Sequence, residues 1–590
     1  MSIHYSIEPA HPEAHLYTVT LSLSEPDPAG QQLTLPTWIP GSYMIRDFAR
    51  NIVSISASSE GQPVRLEKCD KSRWQAPSGL GQLTVVCDIY AWDLSVRSAH
   101  LDATHGFFNG TSVFLAVEGQ THLPCSVTIK PPADIPDWRV ATSLQAESVN
   151  DAGFGEYQAV NYDDLIDHPV EMGTFERAVF TACGVEHELV LTGRYVTDID
   201  RICNDLTKIC EYQIRFFGEP APVKRYVFLV MVVGDGYGGL EHRASTSLMC
   251  KREHLPVPGD TAISDAYLEF LGLCSHEYFH TWNVKRIKPA RFVPYELAAE
   301  SYTELLWAFE GITSYYDDLT LVRVGLIDQP RYLKLLAKMI TRVHRGSGRL
   351  KQSVAESSFD AWTKFYKQDE NAPNAIVSYY AKGALVAFSL DVLIRQKSEG
   401  SKSLDDLMQL LWQAYLTTAE GVTQAQIEAL VADLCGQDVG EFFQRAVFGT
   451  EDLPLTDSLS FMGIETFWRA SESPEDTGGT EASADEPPLT LGMRTVNADG
   501  GLKITHVFDD GPAQKAGFSA GDRLMALGGL AATQSLLASL LRRHCAEDEL
   551  TAHLFRRDEL LVLPVRLETA PLDTCYLSVA DSNKTELWLG

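Results

Sequence analysis

The sequence predicts a multidomain α+β chain with a β-sandwich-like N-terminal domain, a central α+β domain whose second half is mainly helical, and a small C-terminal β domain. Three observations predict it. Residues 1–168 carry alternating or β-branched runs such as Leu16–Leu23 and Leu83–Tyr90, separated by turn clusters such as 26–30. From 169 onward strands come first, including 226–233, and helical periodicity then takes over from 265 to about 448. Finally, 471–488 is Ser, Glu, Asp, Gly, Thr and Pro with no large apolar residue, and short strands with Gly-rich turns return beyond it.

Those breaks place an N-terminal β domain at 1–168 and a central domain at 169–468. An acidic flexible linker follows at 469–488, a small β domain at 489–570 and a C-terminal tail at 571–590. Within the central domain, 378–398 reads as a long amphipathic helix. Helices are also expected at 404–417 and at 423–434, the second opened by Thr423 as an N-cap. In the N-terminal domain the loop 38–47 (WIPGSYMIRD) mixes aromatic and charged residues and is a candidate lining for a substrate cleft.

Composition narrows the function. With 590 residues, 45% of them apolar and 10% aromatic, the chain has ample material for sizeable cores. A formal charge of −30 argues against a nucleic-acid partner, because no net basic field would attract phosphates. No signal peptide or membrane-spanning run is visible, and the eleven cysteines stand singly, outside any disulfide framework or Cys-x-x-Cys site. The expected address is the reducing cytoplasm, without membrane association.

The stretch that carries chemistry is 274–283 (CSHEYFHTWN), which contains His-Glu-x-x-His within a helical segment. Positions i and i+4 share one helix face, so His276 and His280 aim two imidazoles at one spot. Glu277 sits at the edge of that face, within reach of a metal-held water. Two neutral imidazoles, an open position and a carboxylate base make the zinc-peptidase arrangement. The flanks Leu268, Leu271, Leu273, Tyr278 and Phe279 make the helix largely apolar, and a polar pair buried there needs a partner. A third ligand is required, and Glu296, Glu300, Glu304 and Glu310 are candidates. Glu300 has the spacing of thermolysin-like enzymes. Glu310 is the one carboxylate in an apolar helix (305–316, LLWAFEGITSYY) and is favoured for that reason.

The segment HEYFHTWNVKRIKP (276–289), followed by LWAFEG (306–311), resembles the glycyl aminopeptidase family of gluzincin metallopeptidases. That resemblance implies a β N-terminal domain, a thermolysin-like catalytic domain and a C-terminal PDZ domain. It also implies one zinc ion per chain held by His276, His280 and Glu310, with Glu277 as catalytic base.

Gly238-Gly239-Leu240-Glu241-His242 is similar to the Gly-x-Met-Glu-Asn element of the wider aminopeptidase group. There the Glu, here Glu241, binds the substrate's free amine, and Gly238 and Gly239 would align extended substrate. Leu240 and His242 depart from that pattern. Tyr380-Ala381-Lys382-Gly383 resembles the Tyr-x-Lys-Gly element whose tyrosine hydroxyl donates to the oxyanion, with Tyr379 as the adjacent alternative.

Further on, Leu491-Gly492-Met493 resembles a PDZ carboxylate-binding loop, and GPAQKAG (511–517) followed by AGD (520–522) resembles the run that accompanies it. Such domains take extended C-terminal peptides by strand addition. The expectation is a zinc aminopeptidase acting on peptides with small N-terminal residues, Gly or Ala. Its rivals are an endopeptidase on the same site and an inactive PDZ-bearing peptide-binding protein.

Overall fold

A computed structural model describes residues 2–483 and 487–590. The chain forms two compact units, one of Met1–Tyr302 with Met408–Thr423 and one of Thr303–Leu407 with Gln424–Gly590. The fold is multidomain α+β, as the sequence predicts.

The first unit begins with β structure. Strands Leu16–Leu23 and Leu83–Tyr90 fall where the alternation places them and pair antiparallel inside an eight-stranded sheet. Each turns one face inward, so every second residue is buried: Tyr17, Val19, Leu21 and Leu23 on one, Leu83, Val85, Cys87 and Ile89 on the other. Two four-stranded sheets share this core through Leu33, Trp74, Val117, Leu101, Phe108 and Met172.

A five-stranded sheet follows in the order Glu176–Ala182, Val185–Gly193, Arg225–Val233, Ser245–Lys251, Gly238–Glu241. Its centre is parallel and its edge strand, Gly238–Glu241, is antiparallel to its neighbour with Glu241 opposite Thr246. Helices Ile199–Phe217 and Asp265–Phe279 lie beside this sheet, joined where the Gln213 amide donates to Ser275 O at 3.0 Å.

The second unit opens its helical block with a π-helical turn, Trp307–Gly311, that continues as helix Ile312–Arg323. This packs on helix Ala381–Lys397 at a glycine crossing. A Cβ on Gly311 would lie 2.6 Å from Gly383 Cα, so two glycines let the backbones touch. The expected amphipathic helix at 378–398 is thus corrected on two counts. It starts at Ala381, where Ser378 Oγ accepts from the Ala381 amide, and it is buried on all sides from Ala381 to Val392. Helix Gln424–Cys435 begins directly after Thr423.

The described parts of the expected linker, 469–483 and 487–488, are tied down, the latter by the Ala570 amide donating to Pro488 O at 2.8 Å. The Arg469 guanidinium pairs with Asp476, and Gly479 N donates to Cys575 O. Residues 484–486 of that expectation lie outside the described residues. The expected tail carries strand Thr574–Val579, paired antiparallel with Ile464–Arg469, and helix Ser582–Leu589, whose Trp588 donates to Tyr315 Oη at 2.9 Å. Between them, the C-terminal β domain holds a sheet from Met493–Ala498 to Glu559–Arg566 with helix Gln534–Arg543. Its strand end is latched to the helical block. Asn374 Nδ2 donates to Val507 O at 2.8 Å, Asp509 N donates to Asn374 Oδ1 at 3.1 Å, and Ser347 Oγ donates to Asp509 Oδ2 at 2.7 Å.

Candidate active site

Helix Asp265–Phe279 is set by its cap. Ser264 Oγ accepts from Tyr267 N at 3.0 Å, and Asp265 sits in the first turn where the helix dipole favours an anion. Tyr267, Leu268, Phe270, Leu271, Leu273, Tyr278 and Phe279 are all buried. His187, on the sheet, fixes the last turn through a 2.9 Å bond to Tyr278 Oη. The helix ends at Phe279, so His276 occupies the last turn and His280 the C-cap.

The two imidazole planes stand nearly perpendicular, at 85°, with their Nε2 atoms 3.1 Å apart. His280 Nδ1 lies 2.8 Å from Asn283 O, a carbonyl that can only accept. The proton is therefore on Nδ1, and Nε2 presents a lone pair. Two imidazole nitrogens on one tetrahedral zinc lie about 3.3 Å apart, so this donor pair fits a divalent metal with little adjustment.

Glu277, 5% exposed, turns toward the edge strand. Its carboxylate lies against Gly239 so closely that a methyl group on residue 239 would overlap it. One donor atom from each of Glu241, Glu277 and His280 falls within 4.8 Å of the others. Two carboxylates this close favour a cation between them. Arg97 Nη2 donates to Gly239 O at 3.2 Å, and the loop 38–47 reaches the same strand, with Gly41 packed on the Glu241 carboxylate where a Cβ would collide.

His242, the departure from the Met-Glu-Asn pattern, has a structural explanation. It is buried with Nδ1 3.3 Å from Asp167 Oδ1, and Asp167 also accepts from Arg243 N at 3.0 Å and Lys285 Nζ at 2.7 Å. Burial alone would raise the Asp167 pKa, but Lys285, Arg243 and His242 together hold it well below the usual carboxylate range. The ion network anchors the end of the strand that carries Glu241.

In the second unit, Glu310 is 2% exposed on the π-helical turn, a backbone feature that concentrates at functional sites. The other third-ligand candidates differ: Glu296 and Glu304 are exposed, and Glu300 is half-buried in an irregular stretch. Tyr380 is half-buried and directly precedes helix Ala381–Lys397, its hydroxyl 3.5 Å from Tyr366 Oη, whereas Tyr379 is fully buried. Burial, followed by the charges of Tyr366 and Glu310, pushes the Tyr379 hydroxyl pKa well up.

In the C-terminal β domain, Leu491 is a core residue, Gly492 takes φ +65°, and Met493 starts the sheet's edge strand. The Gly492 amide donates to Thr490 Oγ1 at 3.0 Å, and Gln534 Nε2, on the first turn of helix Gln534–Arg543, donates to Thr495 O at 3.0 Å.

Three features escaped the sequence reading. Arg97 and Asp167 have no motif around them, because their partners lie 142 and 118 residues away. Gly41 had a signal, since its loop stood out as a candidate cleft lining, but nothing in that loop pointed to Glu241, 200 residues on, as the partner.

Residues 4–174 match the Peptidase M61 N-terminal domain, 269–386 the M61 glycyl aminopeptidase domain, and 490–567 a PDZ domain. The crystal structure of an aminopeptidase N family protein from Idiomarina loihiensis is similar over 100% of both chains, with 44% identity and a TM-score of 0.97. An M1 zinc metallopeptidase from Deinococcus radiodurans shows 16% identity and a TM-score of 0.47, over 77% of this chain and 95% of that one. No curated protein matches the chain.

Proposed function

The chain belongs to the M61 glycyl aminopeptidase family and is a peptidase, and from that premise we propose a zinc-dependent aminopeptidase that removes single N-terminal residues, Gly or Ala foremost, from peptides. His276, His280 and Glu310 would hold one zinc per chain, and the bound ion would polarise the scissile carbonyl and acidify the attacking water. Glu277 takes the proton from that water and passes it to the leaving nitrogen. Tyr380 donates its hydroxyl to the developing oxyanion. Glu241 pairs with the substrate's α-ammonium, and Gly238 and Gly239 leave backbone free to align an extended chain.

The observation that carries this reading is the gathering of Glu241, Glu277 and His280 within 4.8 Å. A proposed base on the helix of the two histidines faces a second carboxylate, and two carboxylates this close favour a cation between them. The open edge Met493–Ala498 beside helix Gln534–Arg543 supports binding of C-terminal peptides, which would displace the Gln534 bridge. All eleven cysteines are unpaired, which supports a reducing cytoplasm, and no helix among the described residues is long and apolar enough to cross a membrane.

The test is hydrolysis of one short Gly- or Ala-headed peptide, with its amine free or acetylated, by the zinc-loaded protein. Release of the first residue from the free-amine peptide alone is expected. Internal cleavage of both peptides would make this an endopeptidase. No cleavage of either, by a protein that takes up no zinc when loaded, would favour a peptide-binding protein.

A further inference from the structure

The hairpin Ala99–Leu101/His105–Phe108 in the N-terminal domain carries a second set of metal-type donors. Phe107 lies opposite His100 and Gly106 opposite Leu101, and Asp102 N donates to His105 O at 3.0 Å to close the turn. Side chains alternate along a strand, so His100, Asp102 and His105 fall on one face. His100 Nε2 is 3.3 Å from Asp102 Oδ2, and His105 Nδ1 is 3.9 Å from Asp102 Oδ1. One donor atom from each of the three lies within 4.8 Å of the others.

The carboxylate is oriented. Its Oδ1 accepts from Thr104 N and Thr104 Oγ1, both at 2.6 Å, and from His105 N at 3.1 Å, which leaves Oδ2 facing His100. Fixing a carboxylate this way is what outer partners do in metal sites. Both imidazoles are 4% exposed and Asp102 is half-buried, so the set has a protein side and an opening to water.

The hairpin by itself leaves polar groups unanswered. His100 Nδ1 has no hydrogen-bond partner among the described residues. On the adjoining strand, with Glu171 opposite Phe107, the Glu171 Oε1 is buried and likewise unpartnered among them. Among the described residues no Lys or Arg forms an ion pair with Asp102 or Glu171; Asp102 pairs only with the two histidines. Two imidazoles and a carboxylate with no Lys or Arg paired to them among the described residues match a first-row divalent cation.

We propose that His100, Asp102 and His105 form a second divalent-metal site, separate from the motif histidines and structural in role. Zinc is the cation that two imidazoles and one carboxylate suit, with water completing the shell. The site would stiffen the loop before it, since the Trp92 ring lies against His100 with centroids 4.9 Å apart and Arg97 of that loop holds Gly239 O of the proposed substrate strand.

The experiment uses the full chain, stripped with chelator, re-equilibrated with zinc by dialysis and assayed for bound metal. Cobalt(II) absorption serves as a second probe. Two equivalents are expected for the native protein. His100→Gln/His105→Gln should hold one, and so should His276→Gln/His280→Gln, which keeps this outcome distinct from failure of the aminopeptidase reading. Asp102→Asn is the milder variant should the double one fold poorly, with near-ultraviolet circular dichroism as the folding check. One equivalent in the native protein, lost entirely in the His276/His280 variant, overturns the proposal. So does a second equivalent that survives both hairpin variants.

Discussion

The Glu277 carboxylate rests on the backbone of Gly239, with no room for a methyl group between them. The helix that carries the proposed base and the strand proposed to align substrate are thus in register at one glycine. Gly239→Ala should push Glu277 or the strand away from its position. A shift of about 1 Å in a reacting group can cost on the order of 100-fold in rate. Steady-state kinetics should show at least that loss in kcat/KM, with the circular dichroism spectrum unchanged.

Glu277→Gln keeps the shape and removes the proposed base. The expected loss in kcat is about 100- to 10,000-fold, the usual contribution of a positioned general base. Zinc content should stay at the native level, because Glu277 is not a proposed ligand. A variant of near-native activity would take the base role away from this residue.

Glu310→Ala removes the proposed third ligand. Loss of an outer partner alone weakens metal sites by roughly 10- to 100-fold, and loss of a direct ligand should exceed that. Competition with a zinc chelator measures it. A Glu310→Ala protein of full metal content would shift the assignment to Glu300 or Glu304.

Asn374→Ala cuts both hydrogen bonds that join Val507 and Asp509 to the helical block, leaving Ser347 and Lys351 on Asp509. Each lost bond is worth about 1 kcal/mol. Hydrogen exchange of the 507–509 amides should quicken, while the amides of helix Asp265–Phe279 keep their protection. Unchanged exchange at 507–509 would show that the remaining contacts suffice.

Much of this architecture was legible because local pattern and burial agree. Leu16–Leu23 and Leu83–Tyr90 are strands to the residue, since each alternates and buries one face. The motif helix was legible because its spacing has a single helical reading. What was not legible depends on distant chain. Residues 571–590 read as a tail because nothing local binds them, yet Thr574–Val579 pairs with a strand more than 100 residues earlier. Helix Ala381–Lys397 read as amphipathic, although its polar residues Lys382 and Asp391 are buried. Lys382 donates to Arg349 O at 3.2 Å and Asp391 accepts from Tyr315 Oη at 2.9 Å, partners that no window around the helix contains.

Acid should loosen the motif helix through His187. This ring is fully buried, with Nδ1 donating to Val185 O at 3.0 Å and Nε2 accepting from Tyr278 Oη. Burial, only partly countered by the Val185 bond, lowers its pKa from the ordinary 6.5 to about 4. The native ring therefore binds fewer protons than the unfolded one between those values. Its contribution is complete above pH 6.5 and is lost as pH falls toward 4, in total roughly 3 kcal/mol at 1.36 kcal/mol per pKa unit. His187→Gln keeps a side chain that can both donate and accept but cannot titrate there. Urea unfolding at pH 7 and pH 4.5 should show a smaller drop in stability for the variant than for the native protein. An equal drop would mean that other groups carry the acid sensitivity.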